Sequence, residues 1–354
     1  DILALTIPKF DKGLFTKLIF NDGFADYELK QRMTHTAKVL HHFLPVNFAD
    51  ACAILKQLIA NLRTANIKEE SIEYMFLPEY IELYGLDDYA EAISAFEIIT
   101  QFTSCEFAVR PFIIKYETAM LAQMLTWSTH SHNMVRRLAS EGSRPRLPWA
   151  MALPRLKQDP NPLLPILESL RQDPCEIVRR SVANNLNDIS KDNPDFVITL
   201  AQQWHGEDKA TNALIKHACR TMLKKAIPEV LALFGFDNKN IALSDFNIQT
   251  PKISLGEQLA FSFTVANTGQ TAKMLRLEYG LYYMKKNGEL TKKVFKISER
   301  EIVPNQDFAV VRKQSFKPIT TRKFHAGKHE LSIILNGQES HRLAFNLLIP
   351  DAES

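Results

Sequence analysis

No stretch of about 18 or more uncharged apolar residues occurs in the 354-residue chain, which excludes a hydrophobic helix able to span a bilayer. The N-terminal stretch DILALTIPKF has neither the basic start nor the apolar core of a signal peptide. With Asp rather than Met at position 1, leading residues are expected to have been removed. Cysteine is scarce: Cys52, Cys105, Cys175 and Cys219 stand far apart with no CxxC pair. That fits reduced thiols in a cytosolic protein and provides no metal site. The ten histidines contain no HExxH, and His130 and His132 have no third ligand nearby. They read as helix-start residues, and neither a metal nor another cofactor is expected.

Charge, by contrast, is present and unevenly placed. From Ile67 to Ile99 there are nine acidic residues against Lys68 alone. From Met134 to Ile227 there are fifteen Lys or Arg against ten Asp or Glu, and from Asp237 onward seventeen against twelve. Two basic regions beside one acidic face suggest an oriented site for a polyanion, although an uneven soluble surface has the same composition.

Up to about Gly235 the apolar spacing is helical, as in Phe48–Leu62 and Tyr116–Trp127. Asp173-Pro174 and Asn193-Pro194 precede helical runs, and Pro228 interrupts a basic one. A repeat is visible: NMVRRLASE from Asn133 resembles EIVRRSVAN from Glu176, with Val135 and Val178 43 positions apart. ALIKHACRTM from Ala213 is a weaker third copy. Repeats of about forty residues suggest stacked helical hairpins of the HEAT type. After Phe236 the period becomes two. Leu259–Ala266, Leu275–Met284, Val294–Ile297, His329–Leu335 and His341–Leu348 are short runs separated by turns such as Asn287-Gly288. They predict an antiparallel β-sandwich, Ig-like but without the disulfide. The expected fold is therefore multidomain α + β: an all-α solenoid over 1–235, a linker over 236–245 and the sandwich over 246–354.

The stretch Leu138–Trp149, LASEGSRPRLPW, concentrates unusual chemistry. Val135, Leu138 and Ala139 form a buried stripe, and Gly142 reads as a left-handed residue ending the helix. Glu141 then sits at the negative end of the helix dipole, where Arg137 at i−4, Arg144 and Arg146 offset it. Pro145 and Pro148 stiffen the loop, and Trp149 offers a flat apolar plate. A surface Glu–Arg network capping a helix would use the same residues. Asp188 ends the helix of the second copy, so in-register stacking would turn it and Glu141 toward one cleft. Carboxylates near a sugar C1′ can stabilise an oxocarbenium-like transition state and orient water, while arginines hold the flanking phosphates. Arg180 of the second Val-Arg-Arg group joins that set. Trp127 and Trp204 read as core aromatics. In the sandwich, Lys285 and Lys286 form a basic hairpin tip, with Lys292 and Lys293 following. The tip either clamps a phosphate backbone or is simply solvated.

HNMVRRLASEGSRPRLPWA, together with FTSCEFAVRPFI at Phe102–Ile113, resembles the signature of the AlkC family of DNA alkylation repair proteins. These are bacterial DNA glycosylases built of HEAT-like repeats, some with an Ig-like C-terminal domain. The resemblance implies hydrolysis of the N-glycosidic bond of cationic alkylated bases, notably 3-methyladenine and 3-methylcytosine, in duplex DNA. It further implies that the duplex is bent and the sugar approached from the groove, without drawing the base into a deep pocket. It implies Glu141, Glu106 and Asp188 as active-site carboxylates and Arg137, Arg144, Arg146 and Trp149 as groove residues. Without it, Glu106 would read as the i+4 partner of Arg110. A monomer acting on DNA in the bacterial cytoplasm, at the nucleoid, is expected. The competing readings are a noncatalytic HEAT scaffold that docks a protein on its acidic face and, less well supported by the arginines, a carbohydrate hydrolase.

Overall fold

The computed structural model describes residues 1–20, 23–69, 71–320 and 322–349. Glu70, one of the nine acidic residues of 67–99, and the last five residues of the expected sandwich lie outside them. Among the described residues no helix is long and apolar enough to cross a membrane. The described residues begin with fifteen α-helices: α1 (Ile2–Thr6), α2 (Lys12–Ile19), α3 (Leu29–His41), α4 (Phe48–Thr64), α5 (Phe76–Tyr84), α6 (Tyr89–Ile99), α7 (Arg110–Trp127), α8 (Asn133–Glu141), α9 (Pro154–Gln158), α10 (Leu164–Leu170), α11 (Glu176–Ile189), α12 (Pro194–Trp204), α13 (Lys209–Ala218), α14 (Arg220–Lys224) and α15 (Pro228–Leu233).

The helices follow from period and caps. In α4 the buried positions Ala51, Cys52, Leu55, Leu58, Ile59 and Leu62 form one stripe, and the Asn47 side chain accepts the Asp50 N–H at its start. Trp127 and Trp204 are buried, as expected. The three repeat copies fall on α8, α11 and α13, and α11 packs against both of the others. The first two copies also match in atomic detail. Arg136 donates to the carbonyls of His130 and Ser131, and Arg179 donates to those of Asp173 and Pro174. In each, the same arginine ties down the turn that precedes its helix.

The chain divides into two compact units, Asp1–Cys219 and Arg220–Ser354. The division precedes position 235 because α14 and α15 belong with the strands. A Cβ on Gly337 would lie 2.7 Å from Ala226 Cβ, and Asn336 Nδ2 donates to Asp237 O at 2.8 Å.

Among the described residues nine strands follow: β1 (Ile241–Ile248), β2 (Lys252–Ser254), β3 (Gln258–Asn267), β4 (Lys273–Met284), β5 (Leu290–Ile302), β6 (Asp307–Ser315), β7 (Gly327–Leu335), β8 (Gln338–Glu339) and β9 (Leu343–Leu348). One sheet has the order β1-β3-β6 and the other β2-β9-β7-β4-β5, with β8 on β7. All pairs are antiparallel except β2–β9. Alternate residues Leu259, Phe261, Phe263 and Val265 of β3 meet Leu275, Leu277, Tyr279 and Leu281 of β4 in a single core between the sheets. β1 starts inside the expected linker. Its bulge between Ser244 and Asn247, with Asp245 at φ 55°, breaks the period that would have betrayed it.

Candidate active site

Helix α8 carries its carboxylate inward. Val135, Leu138 and Ala139 are buried as the stripe requires, but so is Glu141, at 5 % exposure. Gly142 is not left-handed: its φ is −64° and it continues the helical path. Its glycine is required by close approach, since a Cβ there would lie 2.7 Å from Val109 Cγ2 and 3.0 Å from Leu138 O. The turn is instead completed by Ser143, whose hydroxyl donates to Ala139 O at 2.7 Å.

Arg144 folds back over the helix end. Its Nη1 reaches Glu141 Oε1 at 2.5 Å, and its Nε and Nη2 both lie 2.8 Å from Asp188 Oδ2. Burial acts to lower the pKa of this guanidinium, but Glu141 and Asp188 outweigh it, so the pKa lies above its ordinary value. The other oxygen of Glu141 accepts from Ser181 Oγ of α11 at 2.6 Å. Asp188 Oδ1 accepts from Lys191 at 2.8 Å. The interface that sets this register is polar too, with Asn185 Nδ2 donating to Ser140 O at 2.8 Å.

Glu106 precedes α7 and faces Arg137 across the same cleft: Arg137 Nη2 lies 2.8 Å from Glu106 Oε2 and 3.9 Å from Glu141 Oε1. Ser104 Oγ donates to Glu106 Oε2 at 2.7 Å and accepts from Arg137 Nη1 at 3.2 Å. The pairing of Glu106 with Arg110 does not form. Arg110 is wholly buried and donates from Nε to Met151 O at 2.7 Å, and from Nη1 to Gly142 O at 3.0 Å and Arg144 O at 2.8 Å. Burial, and next the nearby Arg144, lower its pKa to about 10 against the attraction of Asp188, Glu106 and Glu141.

Ser104, Glu106, Arg137, Glu141 and Arg144 line a cleft of about 460 Å³. Leu29, Ile72, Met75, Leu147, Trp149 and Ile177 line it with apolar surface, which lowers the local dielectric and strengthens the charges below. Trp149 is 72 % exposed and holds a left-handed backbone, φ 63°, uncommon for a bulky residue. Its carbonyl accepts from Lys30 Nζ at 3.2 Å.

Glu141, Glu106, Arg137, Arg144 and Trp149 thus meet in one cleft, and Asp188, 2 % exposed, joins them through Arg144. Arg144 grips carboxylates, not open solvent. Arg146 lies apart, bonded through Nε and Nη2 to both Asp192 oxygens at 2.6 Å. Arg180 lines a second groove of about 280 Å³ between α11 and α13, with Arg179 and His217. Lys285 and Lys286 sit at the β4–β5 turn of the other unit, Lys285 paired with Glu289 at 3.0 Å. Ser181, Ser104, Asn185, Lys30 and Arg110 were not expected at the site. For Ser181 a signal existed, because it stands where Leu138 stands in the first copy. Among the described residues no group of three or more His, Cys, Asp or Glu side chains is placed to hold a metal ion.

Comparison with known proteins agrees with this architecture. A family described as "DNA alkylation repair enzyme" matches residues 86–227. One described as "Uncharacterised protein YhaZ, C-terminal Ig-like domain" matches residues 242–349. "Uncharacterized protein YhaZ" of Bacillus subtilis (strain 168) is 42% identical over 341 residues, 96% of this chain and 93% of the relative. The solved structure of Pseudomonas fluorescens alkylpurine DNA glycosylase AlkC, bound to DNA containing an abasic site analog, superposes with a TM-score of 0.92 at 32% identity. The match covers 98% of this chain and 95% of that one. The fold and its cleft define a helical DNA alkylation repair region followed by an Ig-like domain. The chain belongs to the AlkC family of DNA alkylation repair proteins.

Proposed function

We propose that this chain is a DNA glycosylase that hydrolyses the N-glycosidic bond of cationic alkylated bases, 3-methyladenine and 3-methylcytosine, in duplex DNA. The observation that carries this reading is the Glu141 carboxylate. It is buried at the base of the cleft with Oε1 on Arg144 and Oε2 on Ser181, a fixed negative charge where a sugar cation would develop. As the bond breaks, its electron pair passes to the base and neutralises the methylated ring, while C1′ becomes oxocarbenium-like. Water adds to C1′ and gives its proton to a carboxylate, Glu141 being the best placed and Glu106 beside it. Asp188 acts behind them by holding Arg144. No base pocket is needed, because the reacting atoms belong to the sugar.

The helical region binds the duplex as a stack of HEAT-like repeats, with Arg137 and Trp149 at the cleft and Arg146 and Arg180 along the backbone. Lys285 and Lys286 of the Ig-like domain add phosphate contacts. The protein works as a monomer, without a cofactor, in the bacterial cytoplasm.

The test is base release from duplex DNA bearing 3-methyladenine, comparing the parent with Glu141→Gln. Free methylated base from the parent and about 10²-fold or more less from the variant is expected, as when one transition-state charge contact is removed. Release by neither protein would return Glu141 to the role of a helix-end ion pair.

A further inference from the structure

Arg110 is a buried guanidinium that the reaction as described does not use. It opens α7, immediately before Pro111, and has no exposed surface. Its three protein contacts all go to main-chain carbonyls: Met151 O at one end of the cleft loop, Gly142 O and Arg144 O at the other. Among the described residues Nη2 is buried with no hydrogen-bond partner. No carboxylate of the described residues hydrogen-bonds it, although the charged groups facing it are Glu106 before α7, Glu141 of α8, Arg144 after α8 and Asp188 of α11.

Burying a cation with an incomplete set of partners is costly, so the arrangement has to return something. Two returns are visible. The planar fork ties the two ends of the ten-residue segment 142–151 together from beneath, and that segment carries Arg144 and Trp149. Its charge also opposes the mutual repulsion of three carboxylates gathered around Arg144 and Arg137.

We infer that Arg110 is a positioning residue for base release. Through the carbonyls of Gly142, Arg144 and Met151 it sets the loop that holds the Arg144 guanidinium between Glu141 and Asp188, and its charge helps keep those acids ionised. Lysine can supply the charge but not the fork, because a single ammonium on a flexible stem does not reproduce two nitrogens in a fixed plane. This inference rests on the glycosylase reading, and the experiment separates the two.

Arg110→Lys and Arg110→Met are compared with the parent, with circular dichroism and thermal melting establishing the folded fraction of each. Single-turnover release of 3-methyladenine is then measured across pH, alongside affinity for abasic-analog duplex DNA. A parent that releases no base defeats the glycosylase reading itself. With an active parent, folded Arg110→Met should release base about 10–100-fold more slowly, the loss expected of a displaced reacting group, while its DNA affinity changes less than about threefold. The acid limb of its rate profile should move to higher pH. Arg110→Lys should be slow with the acid limb restored. If Arg110→Met fails to fold, Arg110→Lys carries the test alone. A folded Arg110→Lys at the parent rate, or an Arg110→Met whose slowing matches its lost folded fraction with an unmoved acid limb, overturns the inference.

Discussion

Replacing Arg144 with methionine removes the cation that joins two buried carboxylates. The guanidinium is bound through Nη1 to Glu141 and through Nε and Nη2 to Asp188, all within 2.8 Å, with its side chain 8% exposed. Methionine fills much of the volume but supplies no donor. Breaking a buried ion pair from one side costs about 3–5 kcal/mol. The lower end applies, because Asp188 keeps Lys191 at 2.8 Å and Glu141 keeps the Ser181 hydroxyl at 2.6 Å. We expect Arg144→Met to lose about 3 kcal/mol at pH 8, measured by urea unfolding of the helical unit followed by far-UV circular dichroism. The pH dependence gives the sharper test. In the variant the stranded carboxylates bind a proton more readily in the folded than in the unfolded state. Folding then takes up protons, and the deficit relative to the parent should shrink to about half at pH 5. Adding Asp188→Asn and Glu141→Gln to Arg144→Met should recover most of the loss at pH 8. A deficit below about 1 kcal/mol, or one that does not change between pH 8 and pH 5, would show that these contacts are not the buried network described.

Glu82 of α5 provides a pH effect of the same origin in the parent protein. Burial, and then repulsion from Glu79, push its pKa up to about 7 against the pull of Lys30. A raised carboxyl stabilises the fold below the unfolded value and loses that stability as pH rises through about 7. Glu82→Gln should therefore change thermal stability little at pH 5 and raise it by about 1–3 kcal/mol at pH 8, whereas equal effects at the two pH values would contradict it. At Trp149 the backbone lies at φ 63° and the ring is 72% exposed. Trp149→Gly should leave the folding stability within about 1 kcal/mol of the parent while slowing base release, and a large loss of stability would refute this. For the Ig-like domain, Lys285→Ala with Lys286→Ala should lower the slope of log affinity for duplex DNA against log salt by about 1–2. An unchanged slope would remove both lysines from the phosphate contacts.

What could be read from the sequence was what is periodic. The stripes of α4 and α8 and the alternation of β3, β4 and β7 each place one face on a core, and a one-dimensional pattern records that directly. β6 escaped because it is an edge strand whose buried hydrophobic is Val310 alone, leaving Ala309 and Val311 in an unbroken apolar run. In the site, Glu141 and Arg144 are i,i+3 neighbours in a stiff loop and were legible together. The i,i+4 pairing of Glu106 with Arg110 does not form for a definite reason. The i,i+4 rule holds within a helix, and α7 begins at Arg110, so Glu106 lies in the preceding turn and points to Arg137. Ser181 and Asp188 reach Glu141 and Arg144 through the packing of α11 on α8, a register that neither helix specifies alone.

The cleft is also informative in what can give up a proton. Its polar lining is Ser71, Thr103, Ser104, Glu106, Arg137, Glu141 and Arg144, with Lys30 at its rim on the Trp149 carbonyl. Arg137 and Arg144 are permanent cations. Glu141 accepts hydrogen bonds on both oxygens, from Arg144 and from Ser181. A leaving base that is neutral while bound to the sugar departs as an anion unless it is protonated, and a positioned general acid contributes about 10²–10⁴-fold to such a step. A base that already carries a positive charge leaves neutral and needs none. Duplex DNA bearing hypoxanthine should therefore be processed about 10² or more times slower than the same duplex bearing 3-methyladenine under single-turnover conditions. Binding of the two duplexes should be similar, which places the discrimination in bond cleavage. Release of hypoxanthine at a comparable rate would mean that a carboxyl group of this lining, Glu106 or Glu141, protonates the leaving base, and the assignment of Glu141 as a stabiliser of the sugar cation would fall with it.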